Sequence, residues 1–257
     1  MFRDFFVRAP FDKLQKDPGF YLDLGLNPEI FINGESLSRF DPAETARGRA
    51  LTRRFSAHTL HAPFLDVSPG ASDTEIRRLS LEKMLRICRI AEEWESKLIV
   101  MHFNYDPIYY RNAFPEWLKR AAEFFRTLLD SCQNPMIALE NIAEPTPYVA
   151  LRLQQEIGRD RAVHCFDFGH HNVFGELAVA EWLFYLQPRR HLHFHVHDNH
   201  GDDDTHLPPG QGAIDWHEAR ELMAALPVDF TVTMEPHNRE NLLQSVAFYR
   251  SFFLGQA

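Results

Sequence analysis

Six short apolar runs in this chain each end on a side chain that can bind a metal ion. They read Thr-Leu-His61, Ile-Val-Met-His102, Ile-Ala-Leu-Glu140, His-Cys-Phe-Asp167, Leu-His-Phe-His195 and Val-Thr-Met-Glu235. In each, the residue before the polar one is bulky and apolar: Leu60, Met101, Leu139, Phe166, Phe194 and Met234. A strand sends successive side chains to opposite faces, so the apolar neighbour meets a helix layer while the polar residue points inward. Glu140, Asp167, His195 and Glu235 end the last four of these six runs, and adjacent strands bring their ends together. Three inward carboxylates repel one another, and no Lys or Arg flanks them on the same strands. A divalent cation held by all four satisfies them. Imidazole with carboxylate suits zinc and manganese alike.

Other side chains extend this set. His61 and His102 could hold a second ion with Glu140, or serve as hydrogen-bonded strand ends. His170 lies three residues beyond Asp167, and Asp204-Thr-His206 could fold back over the same place, which allows one to three ions per chain. Asp202 and Asp203 read as a solvated acidic loop. His191, His193, His195 and His197 share one parity and cannot all bind one ion. His195 sits at the matching depth, His193 a layer deeper as a supporting donor, and His191 near the floor. His197, beyond the rim, is expected to touch substrate, as is Asn199. His171, His200 and His237 are expected to face solvent or substrate. Phe64, Tyr105 and Trp117 are candidates for an apolar wall.

The elements that would position these residues alternate. Strand-like runs begin near Phe5, Ile30, His58, Leu98, Met136, Ala162, His191 and Phe230. Helix-like stretches between them include 73–95, 115–131 and 147–157. Ser72-Asp73-Thr74-Glu75 offers capping side chains, and Pro115 stands where a helix can start without losing a needed donor. Eight strands alternating with helices over 257 residues predict one domain, 1–257, folded as a single-domain (β/α)8 TIM barrel with its active site at the C-terminal strand ends. A doubly wound open sheet is the alternative, but no Gly-rich phosphate turn follows the first strand. In the first 50 residues, Asp17-Pro18-Gly19 and Leu26-Asn27-Pro28 read as turns. The longest polar connection runs from His197 to Trp216, where such a barrel keeps its chemistry.

Composition narrows the classes. A net charge of −9 argues against general affinity for nucleic acid, whose phosphates demand counter-charge. Three cysteines, Cys88, Cys132 and Cys165, are too few and scattered for a disulfide framework, and Cys165 is expected to fill space inside the barrel. The opening Met1-Phe-Arg-Asp-Phe-Phe-Val-Arg is broken by charge, unlike a signal peptide, and no apolar stretch approaches the roughly 20 residues that span a bilayer. The expectation is a cytoplasmic protein without a membrane partner; its oligomeric state is open.

Taken as a set, His61-Ala-Pro-Phe64, His102, Glu140-Asn141, Asp167-x-Gly-His170, His195-x-His-Asp-Asn199, Asp204-x-His206-x-Pro-Pro-Gly210-x-Gly-x-Ile-Asp-Trp216 and Glu235 resemble the xylose isomerase-like TIM-barrel superfamily. Within it they look most like the sugar phosphate isomerases/epimerases. The resemblance implies a metal-dependent enzyme acting on a small carbohydrate through a metal-stabilised enediolate. The superfamily's ketose 3-epimerases imply one ion on Glu140, Asp167, His195 and Glu235. Glu140 and Glu235, on different strands, could then flank the substrate, one removing a proton and the other returning one, and His170 would hydrogen-bond the developing oxyanion or complete another metal site. An Arg that those enzymes carry past the seventh strand is replaced here by Asn199-His200. Endonuclease IV, a three-zinc phosphoesterase of abasic DNA, also resembles this chain. Its ligands would fall on His61, His102, Glu140, Asp167, His170, His195, Asp204, His206 and Glu235. Its Gly-Ala-His-Val-Ser opening is replaced by Phe6-Val-Arg-Ala-Pro10, so that activity stands as the alternative. A third possibility is a barrel that keeps metal without turnover.

Overall fold

The computed structural model describes residues 5–186 and 190–255. Its strands are β1 (Phe5–Pro10), β2 (Asn27–Phe31), β3 (Thr59–His61), β4 (Leu98–His102), β5 (Met136–Glu140), β6 (Ala162–Asp167), β7 (His191–Val196) and β8 (Asp229–Met234). They close in chain order into an eight-stranded barrel, and the strand pairs that can be aligned are all parallel. With helices in the connections, this is the (β/α)8 architecture that alternation in the sequence predicts. No helix among the described residues is long and apolar enough to cross a membrane.

Seven strands begin within one residue of the expected place, and β2 is the exception. It starts at Asn27, three residues before Ile30, and includes the Asn27-Pro28 pair read as a turn. Pro lacks an N–H, yet at the second position of a strand its fixed φ is compatible with extended chain. The other expected turn, at Asp17, is a helix start: Asp17 accepts from the Phe20 amide and Pro18 opens helix Pro18–Asp23. The long helices fall where expected. Asp73 caps Thr74–Trp94 by accepting from the Glu75 and Ile76 amides at 2.7 and 3.1 Å, and the helix stops at Glu95 in the left-handed region.

The chain gathers into two compact units. One holds Ala9–Glu140 and Val149–Val163; the other holds the described residues up to Arg8, Asn141–Tyr148 and those from His164 onward. In the first, Trp94 packs against Phe11 and Phe40 with ring centroids 5.5 and 5.8 Å away and donates its indole N–H to the Thr45 carbonyl. Trp117 is buried beside Tyr105 and Phe114, with Gly70 so close that a Cβ there would lie 2.2 Å from the indole. It belongs to the core rather than to an apolar wall.

In the second unit, His164 lies on the face of β6 opposite Asp167. It is buried, and neither ring nitrogen has a hydrogen-bond partner. Burial pushes its pKa down to about 4. An imidazole that is neutral when folded but protonates near 6.5 when unfolded contributes stability above that value, and the contribution is lost as pH falls toward 4. His164→Leu removes two unsatisfied nitrogens and is expected to raise unfolding stability by about 1–3 kcal/mol at pH 7. Its advantage should widen between pH 6.5 and 4. Denaturant titration at both pH values checks this, and a variant no more stable than wild type at either would sink it.

Candidate functional site

Glu140 gathers two imidazoles in the first unit. The β4–β5 register sets His102 opposite Glu140, and the His102 Nε2 lies 2.9 Å from Oε2. The His61 Nε2 reaches the same oxygen at 3.2 Å. Phe64 stacks on His102 with centroids 4.4 Å apart and meets His61 edge-on, so one of the three wall candidates does border this group. Asn104 fixes the Phe64 loop by donating to the carbonyls of Phe64 and Val67.

The second unit is built around Asp167. Asn141 brackets it, accepting from the Asp167 amide at 2.8 Å and donating to its carbonyl at 3.1 Å. Asp167 Oδ1 accepts from the His170 amide at 2.7 Å, capping helix Phe168–Phe174. Its other neighbours are His195 Nδ1 at 3.6 Å and His197 Nε2 at 3.1 Å. His195 Nδ1 is also 3.7 Å from Glu235 Oε1, so side chains from β6, β7 and β8 meet here. Burial opposes ionisation of Asp167, but the charges of His170 and His197 and hydrogen bonds from His195 and His197 hold its carboxyl well below the usual range.

Asp204 enters from the long connection after β7. Its Oδ2 lies 3.0 Å from His206 Nε2 and 3.4 Å from His170 Nε2. Burial raises its pKa, yet His170, His206 and His197 together drive it far down. His197 stacks on His206 with centroids 3.8 Å apart, and His206 stacks on His237 at 4.1 Å. His170, His197, Asp204 and His206 therefore form one group whose donor atoms lie within 4.8 Å of each other.

The structure corrects three sequence expectations, for His197, Asn199 and His171. His197 is not beyond the rim: it is 1% exposed and turned onto Asp167. Gly169 makes this possible, since a Cβ there would stand 1.9 Å from the imidazole. Asn199, expected to touch substrate, is fully buried; its amide donates to the Gly169 carbonyl and its oxygen accepts from Gly201 and Asn172. It braces the loop instead. His171 is also buried, with Nε2 on the Leu177 carbonyl, while His200 and His237 are exposed. His193 bridges Thr231 and Thr233, a layer below His195.

Two residues escaped the sequence reading. Asp198 is fully buried and accepts four hydrogen bonds, from the amides of Asn199, Gly210 and Ile214 and from the Trp216 indole. Its backbone pairs both ways with Leu207 at 2.8 Å. This carboxylate clasps the loop that carries Asp204 and His206. Arg8 is the other: its Nε stands 3.9 Å from Glu235 Oε1. No cation flanks Glu235 on its own strand, but β1 beside it supplies one.

One pattern tests whether a metal fits. His61, His170 and His206 each place Nδ1 at 2.9–3.0 Å from a backbone carbonyl, of Ala62, Asn141 and Glu235. A carbonyl only accepts, so each Nδ1 carries the proton and, in the neutral ring, each Nε2 presents a lone pair. All three Nε2 atoms face carboxylate oxygens at 3.0–3.4 Å. Lone pair against carboxylate repels unless a proton or a metal ion lies between, and a backbone-anchored imidazole is the usual support for a metal ligand. The donors fit a divalent cation.

Residues 29–252 match the family described as xylose isomerase-like TIM barrel. The chain belongs to that family. An uncharacterised relative from Methanocaldococcus jannaschii is 28% identical over 203 residues, 75% of this chain and 69% of that protein. The crystal structure of a D-tagatose 3-epimerase-like protein superposes with a TM-score of 0.83 at 25% identity, covering 98% of this chain and 97% of that one. The TTHB071 protein of Thermus thermophilus, soaked with zinc chloride, gives 0.76 at 23% identity over 99% and 100%. In barrels of this architecture the C-terminal rim is where the site is built.

Proposed function

We propose that this family member is a metal-dependent isomerase or epimerase of a sugar or sugar phosphate. The observation that carries the reading is the repeated imidazole arrangement, with Nδ1 on a carbonyl and Nε2 on a carboxylate. The likeness to a D-tagatose 3-epimerase-like protein supports the substrate class. Glu140, Asp167, His195 and Glu235 would hold the principal ion, zinc or manganese. When bound, the ion supplies Lewis acidity that stabilises charge developing on a substrate carbonyl oxygen. Glu235 and Glu140 act from different strands: one removes the proton beside the carbonyl and the other returns one. His170, anchored on Asn141 and turned to Asp204, completes a further donor group with His206 rather than acting on substrate.

Turnover of a ketose panel in D₂O tests the scheme. Product should carry solvent deuterium at the reacting carbon; product without it points to a hydride shift and removes the two-base mechanism. Elemental analysis should find more than one metal per chain, and His61→Ala with His102→Ala should lower the count. A count of one that both substitutions leave unchanged would make those imidazoles hydrogen-bonding groups.

The two further donor groups also favour a second reading, multi-metal phosphoester hydrolysis, since paired ions stabilise attacking and leaving oxygens. Cleavage of an abasic-site duplex, with no sugar turned over, would move the assignment there.

A further inference from the structure

Two of the three cysteines have no place in the scheme above, yet the first unit brings them together. Cys88 stands on helix Thr74–Trp94, and Cys132 follows directly on helix Phe114–Ser131. Both are free thiols, each 1% exposed. The Cys88 thiol donates to the Cys132 sulfur, which directs its own proton to the Leu128 carbonyl at 3.3 Å. Glu92 lies one turn beyond Cys88 on the same helix face. Its carboxylate accepts from the Gln133 and Asn134 amides and from the Asn134 side chain, immediately after Cys132. Arg161 donates to the Leu129 and Pro135 carbonyls, on either side of Cys132, and brings Nη1 to 4.0 Å from its sulfur. The two sulfurs are thus set against each other by backbone contacts on both flanks.

That setting divides the roles of the two thiols. The hydrogen bond from Cys88 holds the Cys132 pKa below the usual thiol value; burial opposes this, and Arg161 adds to it. The same hydrogen bond, with burial, pushes Cys88 up. A thiolate is the nucleophile, so Cys132 reacts first and Cys88 is the thiol beside it. A small reagent reaches Cys132 by the shorter route: Ser131, Gln133 and Asn134 around it are exposed, and the last turn of a helix opens readily. The pair is also remote from the metal-binding side chains of this unit. The turn after Cys132 leads into Met136, whose amide donates to the Lys97 carbonyl, so it lies where β4 and β5 start, whereas His102 and Glu140 end those strands.

We propose that Cys88 and Cys132 form a redox modification site, where a small hydroperoxide joins the two thiols in a disulfide that staples helix Thr74–Trp94 to the end of helix Phe114–Ser131. The Cys132 sulfur attacks one peroxide oxygen, the O–O bond breaks, and the departing oxygen leaves as water with the thiol proton. The Cys88 sulfur then attacks the Cys132 sulfenic acid, and the S–O bond breaks to release a second water. The two thiols lose two electrons and hydrogen peroxide gains them. The new bond closes a loop of about 45 residues, which restricts the unfolded chain and leaves the strand ends at His102 and Glu140 untouched.

Treatment of the folded, reduced protein with hydrogen peroxide, followed by peptide mapping without reductant, tests it. The expected product is a Cys88–Cys132 cross-link with Cys165 still reduced. Tm should rise by roughly 5–15 °C and return on addition of dithiothreitol. Cys165→Ala should cross-link as wild type does. Cys88→Ser should leave a sulfenic acid at Cys132 that dimedone traps, whereas Cys132→Ser should leave Cys88 unmodified. If either serine variant does not fold, the alanine variant reads the same product. Peroxide that leaves both thiols reduced, that carries Cys132 to sulfinic acid without a cross-link, or that joins the pair only above the Tm overturns the proposal. So does a cross-link that leaves Tm unchanged or lowers it.

Discussion

Glu140→Asp and Glu235→Asp are each expected to lower kcat by roughly 10² to 10⁴ while retaining some bound metal, the range that positioned proton transfer is worth. Asp keeps the carboxylate charge and one fewer methylene, so it can still ligate, but its oxygens withdraw from the C–H. Glu140 has the further constraint that His61 and His102 close on its Oε2 at 3.2 and 2.9 Å. Shortening it should loosen that pair as well, so this variant is expected to lose more metal than Glu235→Asp. Steady-state kinetics with metal analysis on the same preparations provides the check. Turnover within threefold of wild type in both variants would remove the two glutamates from proton transfer.

Asp198→Ala should be the most destabilising single change in the long connection after β7. It leaves three backbone amides and the Trp216 indole without an acceptor, those of Asn199 and Trp216 in a buried setting and those of Gly210 and Ile214 partly exposed. Unsatisfied buried donors cost about 1–3 kcal/mol each, less where the opened loop admits water, so a total near 3 kcal/mol is a conservative expectation. For a chain of this size that is a fall in Tm of roughly 6–12 °C. Gly212→Ala attacks the clasp from the other side, since a Cβ there would sit 2.2 Å from Asp198 Oδ1. The exposed Asp203 is the control, and Asp203→Ala should shift Tm by under about 2 °C. A comparable shift in Asp198→Ala would mean the loop is held from elsewhere.

The strand ends were legible because a strand repeats every two residues: the pattern that buries Phe166 and Phe194 against helices also fixes the facing of Asp167 and His195. The helices were legible from local signals such as Asp73 and Pro115. The loop after β7 was not. Asp198 lies next to His197 and Asn199 in the sequence, yet its partners at Gly210, Ile214 and Trp216 become visible only when the chain folds back. His197 was misplaced for a related reason. Strand parity predicts its side, but whether it stands above the rim depends on Gly169 leaving room for the ring. Arg8 was missed because each strand was read alone, whereas β1 meets β8 only on closure. In the first 50 residues, Pro28 misled because a residue that often marks a turn can also open a strand.

The interior between β7 and β8 has a consequence for how this edge of the barrel finds its partner. His191 Nε2 and His193 Nδ1 both reach the Thr231 hydroxyl, at 2.9 and 2.6 Å, and His193 Nε2 reaches Thr233 at 3.0 Å. Apolar alternation alone tolerates a slip of two residues, because every side chain keeps its face. Imidazole and hydroxyl are less tolerant. A slip by two in either direction takes His193 off its bridge between Thr231 and Thr233, leaving only one of its two ring nitrogens facing a threonine. Polar pairing thus acts as a vernier on this seam, selecting one alignment among several that hydrophobic burial would accept.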